Sequence, residues 1–519
     1  MSSVPPALQR ALRLLPRFGA ACGGTVLSCG LLLVACTGDP QPAIDSPNPP
    51  HETTPHRDKV PVTTRSDAAR ELYLEGRRLS DHLRPAEARQ LYLEALSLDR
   101  HFALAHLALA ESATSARGFF ESMARAVALA EVVSEGERLI ILARDAGVRG
   151  VPAEQIDRLR RLVELYPNDE RAHALLGDYY ADRQEYERAI PPYELAVEVA
   201  PDFSPAYNRL GYTYRALGRY DEAEAAFRRY IALLPDEPNP YDSFAELLMK
   251  TGRFEESIAQ YQRALELAPE FGFSYIGQAH DLVLLGRFDE ARSRLRALAE
   301  SARDIGQRRR AIFWEVLSYV HEGDTAAALA GSERLLELAE TNADPAAMAS
   351  DLELRGTILL EDGQAERAEE AFVEAVERIA TADVPSEVVE AQRRDLIYWK
   401  SRLALATGRL ADASQQLDAY RQRVAPHGVP AEERRVRELA GELALLEGDP
   451  TRALAELAEA DRQDPRVLLL CARALRASGR SEAALRMAEE AAHFNELSVS
   501  YAFVRAAAHR LASELRSVS

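Results

Sequence analysis

The sequence predicts an all-α fold built from stacked antiparallel helical hairpins, and three observations carry that expectation. Small residues Gly177, Gly211 and Ala245 recur every 34 residues, as do Tyr180, Tyr214 and Leu248. At fixed offsets follow Ala189, Ala223 and Ser257, then Tyr193, Phe227 and Tyr261, then Pro201, Pro235 and Pro269. A period of this length is one supersecondary unit repeated. Small residues let two helices approach, large ones fill the space between them, and proline, which lacks an N–H, ends the second helix. The third observation is composition: alanine, leucine, glutamate and arginine dominate, with aromatics at 7%, which favours helix.

The three units between Arg171 and Pro269 resemble the tetratricopeptide repeat (TPR) superfamily, with Leu176-Gly177, Leu210-Gly211 and Gly218-Arg219-Tyr220 in consensus places. The resemblance implies a superhelical solenoid. The turn glycines Gly218, Gly252, Gly286, Gly323, Gly363, Gly408, Gly448 and Gly479 run on past Pro269, at spacings that drift between 31 and 45 residues. Alanines at 328, 368, 413, 453 and 484 keep the second-helix contact. About twelve hairpins are expected, closed by a C-terminal capping helix near 498–515 with Tyr501, Val504 and Leu511 on one stripe.

The chain opens with Arg10, Arg13 and Arg17, an apolar run from Phe18 to Ala35, and Leu33-Val34-Ala35-Cys36. Basic residues, an apolar segment and small residues before a cut describe a secretory leader. The last four are similar to the lipobox of bacterial lipoproteins, whose cysteine is acylated, which implies lipidation at Cys36. An uncleaved anchor is the competing reading, because eighteen mostly apolar residues just reach spanning length. Either way the arginines stay inside and the rest lies outside the cytoplasmic membrane, in a bacterial cell envelope. Thr37 replaces the aspartate that some bacteria read as an inner-membrane signal, so an outer-membrane destination is favoured. Residues 36–65, dense in proline, are expected to be a disordered tether.

The expected organisation is therefore a leader over 1–35, a tether over 36–65, partly degenerate hairpins over 66–169 and a regular array over 170–305. Divergent longer hairpins over 306–497 and the capping helix over 498–519 complete it. Inside the regular array, Pro191 and Pro192 are expected to delay or kink a second helix at its first turn.

Charge and motifs narrow the function. The formal charge is −19, and the leader holds three arginines and no acid, so the remainder carries 60 basic and 82 acidic residues. Such a chain is a poor binder of nucleic acid through phosphates. Cys22, Cys29 and Cys36 fall in the leader region, leaving Cys471 as a small buried core residue and no disulfide framework in the repeats. The three lysines, Lys59, Lys250 and Lys400, do not follow a glycine, so a phosphate-binding loop is missing. His321-Glu322 lacks the second histidine of a zinc motif, and neither a Gly-x-Ser-x-Gly elbow nor a Gly-x-Gly-x-x-Gly loop occurs. No catalytic residue, metal or cofactor is expected.

What remains is a surface. In TPR-like superhelices the first helix of each hairpin lines a concave groove, and carrying over its inward positions gives Arg144, Asp178, Asn208, Tyr212, Arg215, Asp242, Glu246, His280 and Phe313. This set suits a protein or extended peptide, with Tyr212 and Phe313 as anchors. The lysines and asparagines of the carboxylate clamp in chaperone-binding TPRs are replaced by acids, arginine and tyrosine. The leading expectation is a lipid-anchored, non-catalytic envelope scaffold. The alternative is a regulatory or sensory subunit acting in trans on a signalling, secretion or pilus system.

Overall fold

The computed structural model describes residues 59–113, 116–382, 384, 386–426 and 429–518. Cys36, the leader and most of the tether lie outside them. Among the described residues there are twenty-five α-helices and no strand. In chain order twenty-four of them fall into twelve successive pairs. Hairpins one to three are Asp67–Asp81 with Pro85–Leu98, Ala103–Glu111 with Ala116–Ala128, and Glu135–Val148 with Pro152–Leu165. Hairpins four to six are Glu170–Asp182 with Tyr186–Val199, Ser204–Ala216 with Tyr220–Leu233, and Pro238–Lys250 with Phe254–Leu267. Hairpins seven to nine are Gly272–Leu284 with Phe288–Ser301, Ile305–Glu322 with Thr325–Thr341, and Pro345–Glu361 with Ala365–Ala380. Hairpins ten to twelve are Ser386–Ala406 with Leu410–Val424, Pro430–Leu446 with Pro450–Ala458, and Pro465–Ala477 with Ser481–Ala492. The helix Val499–Val518 ends the chain.

The described residues divide into two compact units at Leu247 and Leu248. Each unit is a stack of hairpins whose buried apolar residues gather in several clusters.

The repeat signature has a local cause at each position. Gly218, Gly252, Gly286, Gly323, Gly363, Gly408, Gly448 and Gly479 all adopt φ between +70° and +86°, the left-handed turn that an L side chain resists. Leu83 and Gln184 hold the same kind of turn at φ +57° and +61° without that freedom. Each carries a strain of about 1 kcal/mol that glycine would not. Downstream of the turn glycines at 218, 252 and 286, the arginine pairs with a glutamate three residues on: Arg219 with Glu222, Arg253 with Glu256 and Arg287 with Glu290. These pairs are exposed and contribute little.

Ala189, Ala223 and Ser257 are fully buried, as are Tyr193, Phe227 and Tyr261. Glycine is required where the rings lie: a Cβ on Gly177 would stand 2.4 Å from Tyr193, and one on Gly211 would stand 2.6 Å from Phe227. Tyr261 also uses a glycine of the next hairpin: a Cβ on Gly277, sixteen residues downstream, would stand 2.2 Å from its ring.

The closing prolines have a second use. Tyr207 donates to the carbonyl of Pro201 at 3.2 Å and Tyr241 to that of Pro235 at 2.9 Å, while a ring nitrogen of His173 lies 2.7 Å from that of Pro167. Each side chain, six residues on, partners a carbonyl beside a helix end.

Two expectations need correction. The helix Tyr186–Val199 starts five residues before Pro191 and runs through both prolines, so its start is not delayed. The drifting repeat lengths come chiefly from longer helices, such as the 21-residue Ser386–Ala406.

The second correction concerns the end of the expected tether, which is fastened to the first unit. Lys59 pairs with Glu170 at 2.6 Å, and Val60 N–H donates to Asp169 at 2.8 Å. Thr63 donates to Glu137 through its amide at 2.7 Å and its hydroxyl at 2.5 Å. The Thr64 hydroxyl and Arg65 amide donate to Asp99 at 2.6 and 2.8 Å. Composition alone missed this because the acceptors lie 34 to 111 residues away.

Cys471 is buried and its thiol is pushed up to about 11 by desolvation, in keeping with a core role. Tyr501, Val504 and Leu511 are buried on the C-terminal helix as the stripe predicts.

Candidate partner-binding surfaces

In the first unit, neighbouring first helices lie side by side, offset by about a turn, so their side chains meet 31 residues apart rather than 34. Arg209 donates to Asp178 at 2.6 Å, Tyr212 to Ser243 at 3.2 Å, and Arg215 to Glu246 at 3.0 Å. Asp178 also accepts from the Tyr193 hydroxyl at 2.8 Å. Tyr212 packs edge-on against Phe227 with centroids 5.2 Å apart, and the Arg215 guanidinium covers its ring at 4.9 Å. The aromatic ring is thereby fixed in place before any partner arrives.

Around this line sit Arg144, 3.4 Å from Glu111, and Asn208, whose Oδ1 is buried without a hydrogen-bond partner. Asp182 has an exposed side chain, yet desolvation on the inner face and the neighbouring Asp178 push its carboxyl up to about 6, against the pull of Arg144 and Arg209. Hairpin one reaches this region as well. Arg171 bonds both oxygens of Asp81 and stacks on Phe203 at 5.0 Å, and His82 meets Glu237 at 3.2 Å.

The nine residues assigned from the repeat register thus separate. Arg144, Asp178, Asn208 and Tyr212 are partly open in the first unit. Arg215, Asp242 and Glu246 are not groove residues: they are 8%, 2% and 6% exposed. The register fixes which way a residue points from its own helix, but the adjacent helix decides whether solvent remains there. In the second unit His280 is 3% exposed and Phe313 is half-buried in an apolar cluster that includes Ala502 and Phe503. The chain's own last helix covers them. Arg209 and Asp182 were missed because they fall two residues before and five after the repeat's small positions.

The second unit carries a charged network that the sequence did not reveal. Its members come from the first helices of hairpins nine to twelve. Arg402 donates to Glu361 at 3.0 Å, and Arg466 to Glu438 at 3.1 Å and to both oxygens of Glu442 at 3.0 and 2.9 Å. Arg435 reaches Asp395 at 2.9 Å, and Gln392 donates to Glu353 at 2.6 Å. Desolvation and the facing Asp395 hold the Glu353 carboxyl well above its ordinary range. These pairs are 24 to 41 residues apart, so no fixed period flags them.

Among the described residues, no group of three or more His, Cys, Asp or Glu side chains is placed to hold a metal ion. No described helix is long and apolar enough to cross a membrane.

Comparison with known families decides the class of these hairpins. Tetratricopeptide repeat families match residues 142–205, 204–237 and 239–271. The hairpins between residues 142 and 271 are tetratricopeptide repeats. No curated protein matches the sequence. Solved structures similar to this TPR chain include a tetratricopeptide repeat protein from Parabacteroides merdae, 19% identical, covering 50% of this chain and 97% of that one with a TM-score of 0.37. PilF of Pseudomonas aeruginosa is 17% identical over 39% of this chain and 91% of its own, with a TM-score of 0.32. YrrB, described as a TPR protein with an unusual peptide-binding site, is 20% identical over 35% and 91%, with a TM-score of 0.27. The matching repeat families are protein- and peptide-binding modules.

Proposed function

We propose that this TPR protein is a non-catalytic scaffold of a bacterial cell envelope, anchored by a lipid on Cys36, that holds protein or extended-peptide partners on the inner face of its first unit. The observation that carries the reading is Tyr212, a half-open aromatic ring locked by Phe227, Arg215 and Ser243. Beside it lie the unspent amide oxygen of Asn208 and the Asp178–Arg209 pair. A rigid ring flanked by polar groups fits the anchor of a binding surface. A partner's cationic side chain can displace the proton that Asp182 holds near pH 6. The envelope assignment is supported by the basic and apolar leader and its Leu-Val-Ala-Cys end.

Crosslinking in the native cells, followed by capture, tests the groove. Tyr212→Ala together with Asn208→Ala is expected to lower partner recovery at least about tenfold, the usual loss when a hot spot is truncated. Circular dichroism serves as the folding control. Undiminished recovery would remove this face from the mechanism. The anchor is tested separately: Cys36→Ser is expected to move the protein from the membrane fraction to the soluble one. Retention in membranes would mean that the apolar run itself spans.

A further inference from the structure

The inner face of the second unit already has an occupant. After hairpin twelve the chain turns at Asn495, with φ +49°, and the helix Val499–Val518 packs on Ser481–Ala492 as a cap would. It also packs against Ile305–Glu322, the first helix of hairpin eight. A cap needs only the last hairpin. Contacts about 200 residues upstream need another explanation.

Those contacts are specific. Lys250 donates to the Phe494 carbonyl at 2.9 Å, lies 4.2 Å from the centre of its ring and pairs with Glu496 at 2.8 Å. Arg505 donates to the Leu284 carbonyl at 3.0 Å. Tyr501, fully buried, places its ring 5.8 Å from His321 and 6.5 Å from His280. Leu497 joins the apolar cluster of Ile276, Leu295 and Ala311, while Ala502 and Phe503 join that of Ile312, Val316 and Leu317.

The face so covered is the one that the first unit leaves partly open. His280 stands two 34-residue periods after Tyr212, at the same place in its hairpin. The seam is also imperfect. Nε2 of His280, both ring nitrogens of His321 and Nε of Arg505 are buried without hydrogen-bond partners. A small recess lined by Ile276, His280, Trp314, Ser318 and His321 remains beside them. Polar groups left unspent weaken docking relative to a fully satisfied contact, which keeps it reversible.

We infer that the segment Phe494–Val518 is an internal ligand of the second unit, and that an amphipathic helix of a partner reaches His280, Trp314 and His321 only by displacing it. The ligand class follows from the resident: a helix in a groove, with one aromatic between two histidines and small or apolar residues about a turn to either side. Tethering gives the resident an effective concentration of roughly millimolar, so a partner must bind more tightly or meet a loosened resident. The inference rests on the reading of inner faces as binding surfaces, but its test does not use the envelope partner.

The probe is a fluorescent synthetic peptide of residues 494–518, added to the full chain and to a Lys250→Ala, Arg505→Ala variant that keeps the apolar contacts. Binding is read by anisotropy, with hydrogen exchange of residues 499–505 alongside. The wild type is expected to ignore the peptide, and the variant to bind it at least about tenfold more tightly while exchange at 499–505 quickens by a comparable factor. Quickened exchange without peptide binding would make the segment a plain cap. Unchanged exchange, or equal binding by the wild type, would likewise overturn the inference. Tyr501→Ala, which loosens the resident through its apolar contact, provides a second variant held to the same readings.

Discussion

Alanine at Gly277 is expected to cost the second unit about 3 kcal/mol, read as a lowered denaturant midpoint at an unchanged slope. A methyl group there would stand 2.2 Å from Tyr261, closer than real Cβ atoms come to any neighbour. The ring is 1% exposed and cannot swing into solvent. Either it leaves its rotamer or the helices of hairpins six and seven part, and both are unfavourable in a close-packed interior. The control is Tyr261→Ala, which by itself removes a large buried ring at about 3 to 5 kcal/mol. Adding Gly277→Ala to it is expected to cost almost nothing more, because the clash has no second party. A double-mutant cycle that came out additive would show that the ring and the glycine do not share one space.

Acid is expected to release the C-terminal helix. Burial, the nearby Arg505 charge and, more weakly in the other direction, the Glu496 backbone leave His280 lowered to about 3. Burial, His280 and Arg505 hold His321 well below its ordinary value. Both are neutral when the helix is docked and take up protons once water reaches them. The docked state therefore binds fewer protons below about 6.5, and its stability falls as pH drops from 6.5 toward 3, by up to about 1.4 kcal/mol per pH unit for each histidine in that window.

The groups facing this pair are Arg505 and Tyr501 on the last helix, Glu496 on its connection and Lys250 on hairpin six. Carboxylates elsewhere in the second unit act with the opposite sign. Asp281 is raised by desolvation, and Asp464 is pushed up to about 6 by desolvation and the nearby Glu438, so each favours the fold at acid pH and loses that contribution as pH rises. A global melt would mix the two effects. Hydrogen exchange at 499–505, corrected for its intrinsic pH dependence, is expected to quicken between pH 7 and 5 in the wild type and to lose that dependence in His280→Asn with His321→Asn. A flat wild-type profile would uncouple the histidines from docking.

Period and residue type made the hairpins legible. Gly177 against Tyr193 and Gly211 against Phe227 are local consequences of a spacing, and the glycine at eight of the turns is a local consequence of φ. These features depend on residues within one hairpin, whose geometry is nearly constant. The binding face was harder to read. Arg144, Asp178, Asn208 and Tyr212 could be placed by register, whereas Arg215, Asp242, Glu246 and His280 were placed on the correct helices but are buried. The strap over residues 59–65 and the network around Arg466 left no periodic trace, because their partners are separated by irregular distances along the chain.

By itself the sequence determined a chain of twelve hairpins, their turns, their small-against-large packing and the stripe that would bury the last helix. Only the tertiary structure decided which inner faces stay open and which are filled. A residue's direction is set by the 3.6-residue turn of its own helix, but its solvent is set by whatever the superhelix brings opposite, and here that includes the chain's own C-terminal end.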